Sequence, residues 1–171
     1  MKIAVAADHA GYLYKDQIAA LLRARGDDVL DFGTWNATAV DYPEYGHAVG
    51  EAVASGKVER GILVCGSSLG IAIAANKVPG VRCASVFEPL SCELSRRHND
   101  ANVLALSERL TGWEMIERLL DIFFATPFEG GRHAHRVAEI EYTEAQRAKA
   151  QAAVSAGKVT GAQTPAGLVP G

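Results

Sequence analysis

Residues 61–70 read GILVCGSSLG: an apolar run, a cysteine, then small residues set between two glycines. A strand with one face in water alternates apolar and polar residues, whereas Gly61-Ile62-Leu63-Val64-Cys65 is almost wholly apolar. That is the signature of a parallel strand covered on both faces. The residues after it, from about Gly70 to Lys77, read as a helix, so the stretch is a strand, a tight turn and a helix in succession.

The same alternation extends in both directions. Ile3 to Ala7 reads as a first strand ending at Asp8-His9-Ala10-Gly11, and Tyr14, Ile18, Leu21 and Leu22 then share one helical face up to Gly26. Asp28 to Gly33 is a short second strand, and Asp41-Tyr42-Pro43 opens a helix carrying Val49 and Val53. Beyond the central stretch, Val81 to Phe87 is a fourth strand, Pro89 to His98 a helix, and Ala101 to Leu106 a fifth strand. Thr111-Gly112-Trp113-Glu114 has capping-box spacing before a helix with Trp113, Ile116, Leu120 and Phe123 inward. Glu139 to Val154 is expected to be one final, more polar helix. Short links between alternating elements predict a doubly wound α/β domain over residues 1–154, with a five-stranded parallel sheet in a Rossmann-like or flavodoxin-like order. The tail from Ser155, SAGKVTGAQTPAGLVPG, is aperiodic and rich in small residues, and is expected to be disordered.

Gross composition narrows the functions. The 171 residues are 49% apolar and 22% charged, as in ordinary globular proteins. A net charge of −3 offers no general attraction to nucleic acid or acidic membranes, so an anion site must be local. No apolar run approaches the roughly 20 residues of a membrane span, and the opening residues lack an export pattern. Cysteines 65, 83 and 92 form neither C-x-x-C nor an even set, which suits the reducing cytoplasm.

In sheets of this kind ligands sit outside the carboxyl ends of the strands. That rule gathers Asp8-His9, Cys65 to Gly70 and the loop after Leu106 around one crevice. Gly66-Ser67-Ser68-Leu69-Gly70 spells G-x-S-x-G, the nucleophile-elbow pattern of serine hydrolases. Its small residues also expose N–H groups at a helix start, good machinery for a phosphate or a developing oxyanion, and equally good for tight packing. Established phosphate motifs fit badly: the Walker spacing from Gly61 to Gly66 lacks its lysine, and a cysteine-phosphatase loop needs arginine where Ile71 stands. Cys65 is either an inert buried thiol or, beside a helix start, a base or nucleophile. Cys83 and Cys92 lack that setting and read as structural. His98, in RRHND, suits proton transfer or simply complements a helix end. Arg132 and Arg136 are four apart and suggest a bound phosphate or carboxylate if their segment is helical, or a solvated basic face. His133 and His135 make only a weak metal pattern.

Jointly, Asp8-His9-Ala10-Gly11, Asp41-Tyr42-Pro43, CGSSLGIAIAANKVPGVR (65–82), RRHNDANVLA (96–105) and EGGRHAHRV (129–137) resemble the ribose-5-phosphate isomerase type B family, in the group that includes galactose-6-phosphate isomerase subunits. The resemblance covers residues 1 to about 145. It implies a Rossmann-like fold, no metal or organic cofactor, and interconversion of ribose 5-phosphate and ribulose 5-phosphate. It implies that Cys65 moves a proton between C1 and C2, over an enediolate hole made by Gly66, Ser67, Ser68, Leu69 and Gly70. Asp8 and His98 would be the ring-opening pair, Asn99 a substrate contact, and His9, Arg109, Arg132 and Arg136 the phosphate clamp. It further implies a homodimer or homotetramer with each site completed by a neighbouring subunit. Some members use a downstream glutamate instead of the cysteine; Cys65, with only Ala and Asn after the loop, places this chain in the cysteine type. Ser67 stands where the family usually has Thr, Ser68 where it usually has Gly, and the tail after about Val154 has no counterpart in shorter members. Two other classes remain at this point: a small serine hydrolase using Ser68, and a non-catalytic sugar-phosphate binder. The isomerase substrate could also be allose 6-phosphate, galactose 6-phosphate or a tetrose phosphate.

Overall fold

Ile3, Val5 and Ala7 point to one side of the first strand and Ala4 and Ala6 to the other, and both sets are buried. That two-sided burial organises the structure, a computed structural model that describes residues 1–157. Strands β1 (Lys2–Ala7), β2 (Asp28–Asp31), β3 (Arg60–Cys65), β4 (Cys83–Ser85) and β5 (Val103–Ser107) form one sheet in the order β2-β1-β3-β5-β4. Every pairing is parallel. Helices α1 (Tyr12–Ala24) and α5 (Trp113–Ala125) cover one face, where Ile18, Leu22, Ile116, Leu119 and Phe123 meet Ile62, Val64, Leu104 and Leu106. Helices α2 (Tyr42–Ala54) and α3 (Leu69–Ala75) cover the other, where Val49, Val53 and Ile71 meet Leu63, Cys65, Val103 and Ala105. Each large aliphatic or aromatic side chain so buried contributes about 1.5–3 kcal/mol.

The wholly buried β5 lies beside β3, and the partly exposed, three-residue β4 takes the edge. Apolar content explains the placement: Val103-Leu104-Ala105-Leu106 needs cover on both faces, and Cys83-Ala84-Ser85 does not. Helix α4 (Pro89–Arg97) starts on the Glu88 carboxylate, which accepts from the N–H groups of Leu90 (2.7 Å) and Ser91 (2.5 Å). It runs back against the strand direction and delivers His98 and Asn99 to the amino-terminal edge of the sheet. There Arg82, next to the start of β4, donates from Nε to the Asn99 carbonyl at 3.1 Å.

Three expectations need correction. The fourth strand is Cys83–Ser85 and not the longer Val81–Phe87 run: only these three residues are in register with β5, opposite Val103 to Ala105. Thr111 does not cap α5: the N-cap is Gly112, one residue later than the box requires, and the buried Thr111 hydroxyl has no partner. The single helix over 139–154 is instead two, α6 (Arg132–Ile140) and α7 (Glu144–Ser155). A capping box causes the break. Thr143 Oγ1 accepts from the Gln146 N–H at 3.3 Å, and Gln146 Oε1 accepts from the Thr143 N–H at 2.7 Å.

The chain divides into two compact units, Met1–Ala138 and a second beginning at Glu139. The sheet and both cores belong to the first. Within the second, the Gln146 side-chain amide donates to the Glu139 carbonyl at 3.1 Å. Most of the expected disordered tail, residues 158–171, lies outside the described residues.

Candidate active site

The chain leaves β1 to one side for β2 and then crosses to the other side for β3, and a crevice opens at that switch. Asp8, His9, Ala10, Tyr42, Cys65, Gly66, Ser67, Gly70 and Arg109 line a cleft there of about 320 Å³. Cys65 ends β3 and lines this cleft. Asp8 follows β1, donates its N–H to the Val64 carbonyl (3.2 Å), and accepts at Oδ1 from the N–H groups of Ala10 and Gly11, both at 3.0 Å. His9 Nδ1 accepts from the Val40 N–H at 3.3 Å, which leaves Nε2 as the nitrogen that carries a proton.

The turn after Cys65 is held from three sides. The Gly66 carbonyl accepts from the Ser107 hydroxyl at 2.6 Å and from the Arg109 N–H at 3.1 Å. Ser68 is fully buried, in the left-handed region at φ 62°, and its hydroxyl donates to the Ser67 carbonyl at 2.5 Å. A 2.5 Å hydrogen bond with the Ser85 hydroxyl ties the same oxygen to β4. Ser68 is thus enclosed and committed, whereas a serine nucleophile must present a free oxygen beside a base. The G-x-S-x-G spelling is therefore a packing device here. The turn packs closely at two glycines: a Cβ on Gly70 would stand 2.7 Å from the Tyr42 ring, and one on Gly66 3.1 Å from the Arg109 guanidinium carbon. Leu69, half exposed at the start of α3, contributes backbone to the turn without lining the cleft.

The remaining predicted site residues are elsewhere. His98, Asn99, Arg132 and Arg136 belong to the amino-terminal edge of the sheet, and none of them lines the cleft. Five residues of β5 at about 3.3 Å each put roughly 16 Å between the two edges. Asp8 and His98 of one chain therefore do not form a pair.

At that second edge the His98 ring stacks on the His133 ring with centroids 4.1 Å apart and planes 4° from parallel. Glu129 Oε2 lies 3.8 Å from His98 Nε2 and 3.6 Å from His133 Nε2. Arg97 holds the carboxylate, donating from Nε to Oε1 at 2.6 Å, and keeps Glu129 below the usual carboxylate range. Burial first, then the charges of His98 and Arg132, push His133 below the usual imidazole range. The His98, Glu129 and His133 donor atoms fall within 4.8 Å of one another, as in a metal cluster. Face-to-face imidazoles, however, carry parallel in-plane lone pairs that do not converge on one ion. Arg132 and Arg136 are exposed on α6, and among the described residues neither they nor Arg109 pair with a carboxylate.

Sequence reasoning missed Tyr42 as a wall of the cleft, Glu129 as the bridge between two histidines, and Ser85 and Ser107 as ties on the turn. Tyr42 and Glu129 sit inside the motif segments already singled out. The two serines are strand-end residues with no local pattern to mark them.

A model of a family described as ribose/galactose isomerase matches residues 3–140. The chain belongs to the ribose/galactose isomerase family. Within it, the chain is 47% identical over 146 residues to a protein of Escherichia coli K12 named ribose-5-phosphate isomerase B, covering 85% of this chain and 98% of that one. Among solved structures, ribose-5-phosphate isomerase B of Clostridium thermocellum superposes with a TM-score of 0.83 at 48% identity, over 86% of this chain and 99% of that one. The Thermotoga maritima enzyme gives a TM-score of 0.81 at 42% identity, over 83% and 98%. The doubly wound α/β sheet is therefore the fold of ribose/galactose isomerases, and the chain is an isomerase by family.

Proposed function

We propose that this chain interconverts D-ribose 5-phosphate and D-ribulose 5-phosphate, a step of the non-oxidative pentose phosphate pathway. One observation carries the chemistry: Cys65 at a strand end, the turn residues Gly66, Ser67 and Gly70, and the cation Arg109 line one cleft. Moving a proton between C1 and C2 of the open-chain sugar needs a base beside the carbon and donors where the enediolate oxygen forms. Cys65 is the base, and the turn from Gly66 to Gly70 holds the oxygen. His9 and Arg109 bind the phosphate, whose binding energy orients the sugar without the phosphate reacting.

The acid half of the reaction, His98 with Asn99, and the rest of the clamp, Arg132 and Arg136, come from a second copy in a homodimer or homotetramer. The separation of these groups from the cleft along the sheet supports that reading. Three free cysteines support a reducing compartment, the cytoplasm. The test is turnover by purified protein on pentose, hexose and tetrose phosphates without added metal. Ribose 5-phosphate is expected to be the best substrate; a higher kcat/KM on allose 6-phosphate, galactose 6-phosphate or a tetrose phosphate would overturn the assignment.

A further inference from the structure

We propose that His133 and Glu129 are positioning residues that orient the His98 ring toward the sugar ring oxygen as its proton donor. This inference rests on the reading of His98 as the ring-opening acid. The two imidazoles stack 4.1 Å apart, close enough that placing a proton on both is costly. The surroundings keep the His133 ring neutral. His133 is 5% exposed, and Arg132 donates from Nε to its Nε2 at 3.4 Å, so that nitrogen is an acceptor and the ring is neutral. Burial and the neighbouring cations push the same ring below the usual imidazole range. His98 is more open, at 33% side-chain exposure, and faces the Glu129 carboxylate.

That carboxylate is fixed by Arg97 from α4 and by a backbone bond, its own N–H donating to the Arg97 carbonyl at 3.0 Å. The charged and titratable groups around the pair are therefore Arg97, Glu129, Arg132 and Arg136. One anion lies between the rings, and the cations crowd His133. The flat face of His133 fixes the plane of His98, and the Glu129 carboxylate, held by Arg97, lies 3.8 Å from His98 Nε2. Ring opening passes a proton from His98 to the furanose oxygen while Asp8 of the other copy takes the C1 hydroxyl proton; closure reverses both transfers.

Substrate chemistry separates this role from a merely structural one. Ribose 5-phosphate is a furanose and must be opened. Ribulose 5-phosphate has its C5 oxygen esterified and is already open, so exchange of its C1 hydrogen with D2O needs Cys65 but no ring-opening acid. In H133A and E129Q, kcat on ribose 5-phosphate should fall about tenfold or more, with KM within about twofold. The rate of deuterium entry into ribulose 5-phosphate at C1 should stay within about twofold of wild type. The exchange assay also reports whether each variant is folded. H98A serves as the reference and should show the same split. Full aldose turnover in both variants, or parallel loss of turnover and exchange in both, overturns the inference while H98A still splits. If H98A itself shows no split, the reading of His98 fails, and the inference fails with it.

Discussion

Ser68 occupies a backbone conformation that glycine adopts freely, so Ser68→Gly and Ser68→Ala separate strain from hydrogen bonding. At φ 62° a Cβ costs about 1 kcal/mol relative to glycine. Against this stand two 2.5 Å hydrogen bonds of a fully buried hydroxyl, to the Ser67 carbonyl and the Ser85 hydroxyl. Deleting such a group removes about 1–3 kcal/mol. Ser68→Ala keeps the strain and loses the bonds, so it should destabilise by about 1–3 kcal/mol, or roughly 2–12 °C in Tm for a chain of this size. Ser68→Gly loses the same bonds but relieves the strain, and should be more stable than the alanine variant by about 1 kcal/mol. Urea unfolding at one fixed protein concentration measures both. Because the Ser68 N–H survives in each variant, kcat should remain within several-fold of wild type. A glycine variant less stable than the alanine variant would show that strain is absent from the balance. An inactive but well-folded Ser68→Ala would show that the hydroxyl takes part in chemistry after all.

Other expectations follow from the same geometry. Cys65→Ala should abolish isomerisation yet still bind ribulose 5-phosphate, checked by calorimetry beside turnover; residual turnover near wild type would exclude Cys65 as the base. Arg136→Ala should weaken substrate binding by about 1.5–3 kcal/mol, and inorganic phosphate should compete with substrate. An unchanged KM, or no inhibition by phosphate, would remove that arginine from the clamp. Cys92 is buried, donates to the Leu119 carbonyl at 3.3 Å and has its pKa pushed up to about 12, so it should resist alkylation at neutral pH while Cys65 is protected by substrate; mass spectrometry after timed iodoacetamide treatment reads both. His133 has a folded pKa below the ordinary 6.5, so the unfolded chain takes up its proton first as pH falls. The stability His133 gains by staying neutral is present above that value and is lost as pH drops through the folded one. Wild type should therefore lose more Tm than His133→Phe between about pH 7.5 and 5.5, and equal losses would place the titration elsewhere.

The central sheet was legible because burial on both faces leaves an unbroken apolar run, as in Ile62 to Val64 and Val103 to Leu106. The edges were less so: Val81 to Phe87 has strand composition, but only three of its residues find a partner. The helix break at Thr143 was readable from Thr143 and Gln146 and was overlooked because the polar periodicity runs through it. For the site, strand-end position gathered Asp8, Cys65 and Arg109 around one cleft. The enclosure of the Ser68 hydroxyl was not legible, since G-x-S-x-G specifies a tight turn without specifying which way the hydroxyl points. The placement of His98 away from Cys65 follows from alternation itself, because a helix returning from a parallel strand ends at the opposite edge.

That separation has a genetic consequence. In the proposed assembly no single polypeptide owns a reaction centre; each is written half in one copy and half in another. A Cys65→Ala chain and a His98→Ala chain, each inert as a pure dimer, would rescue one another when mixed. Each hybrid dimer holds one centre with both lesions and one with neither, so random reassociation of equal amounts restores roughly a quarter of wild-type activity. Inheritance of a damaged copy beside a sound one would likewise reach into assemblies that the sound copy helps to form. The length of five strand residues thus turns catalysis into a property of the pair.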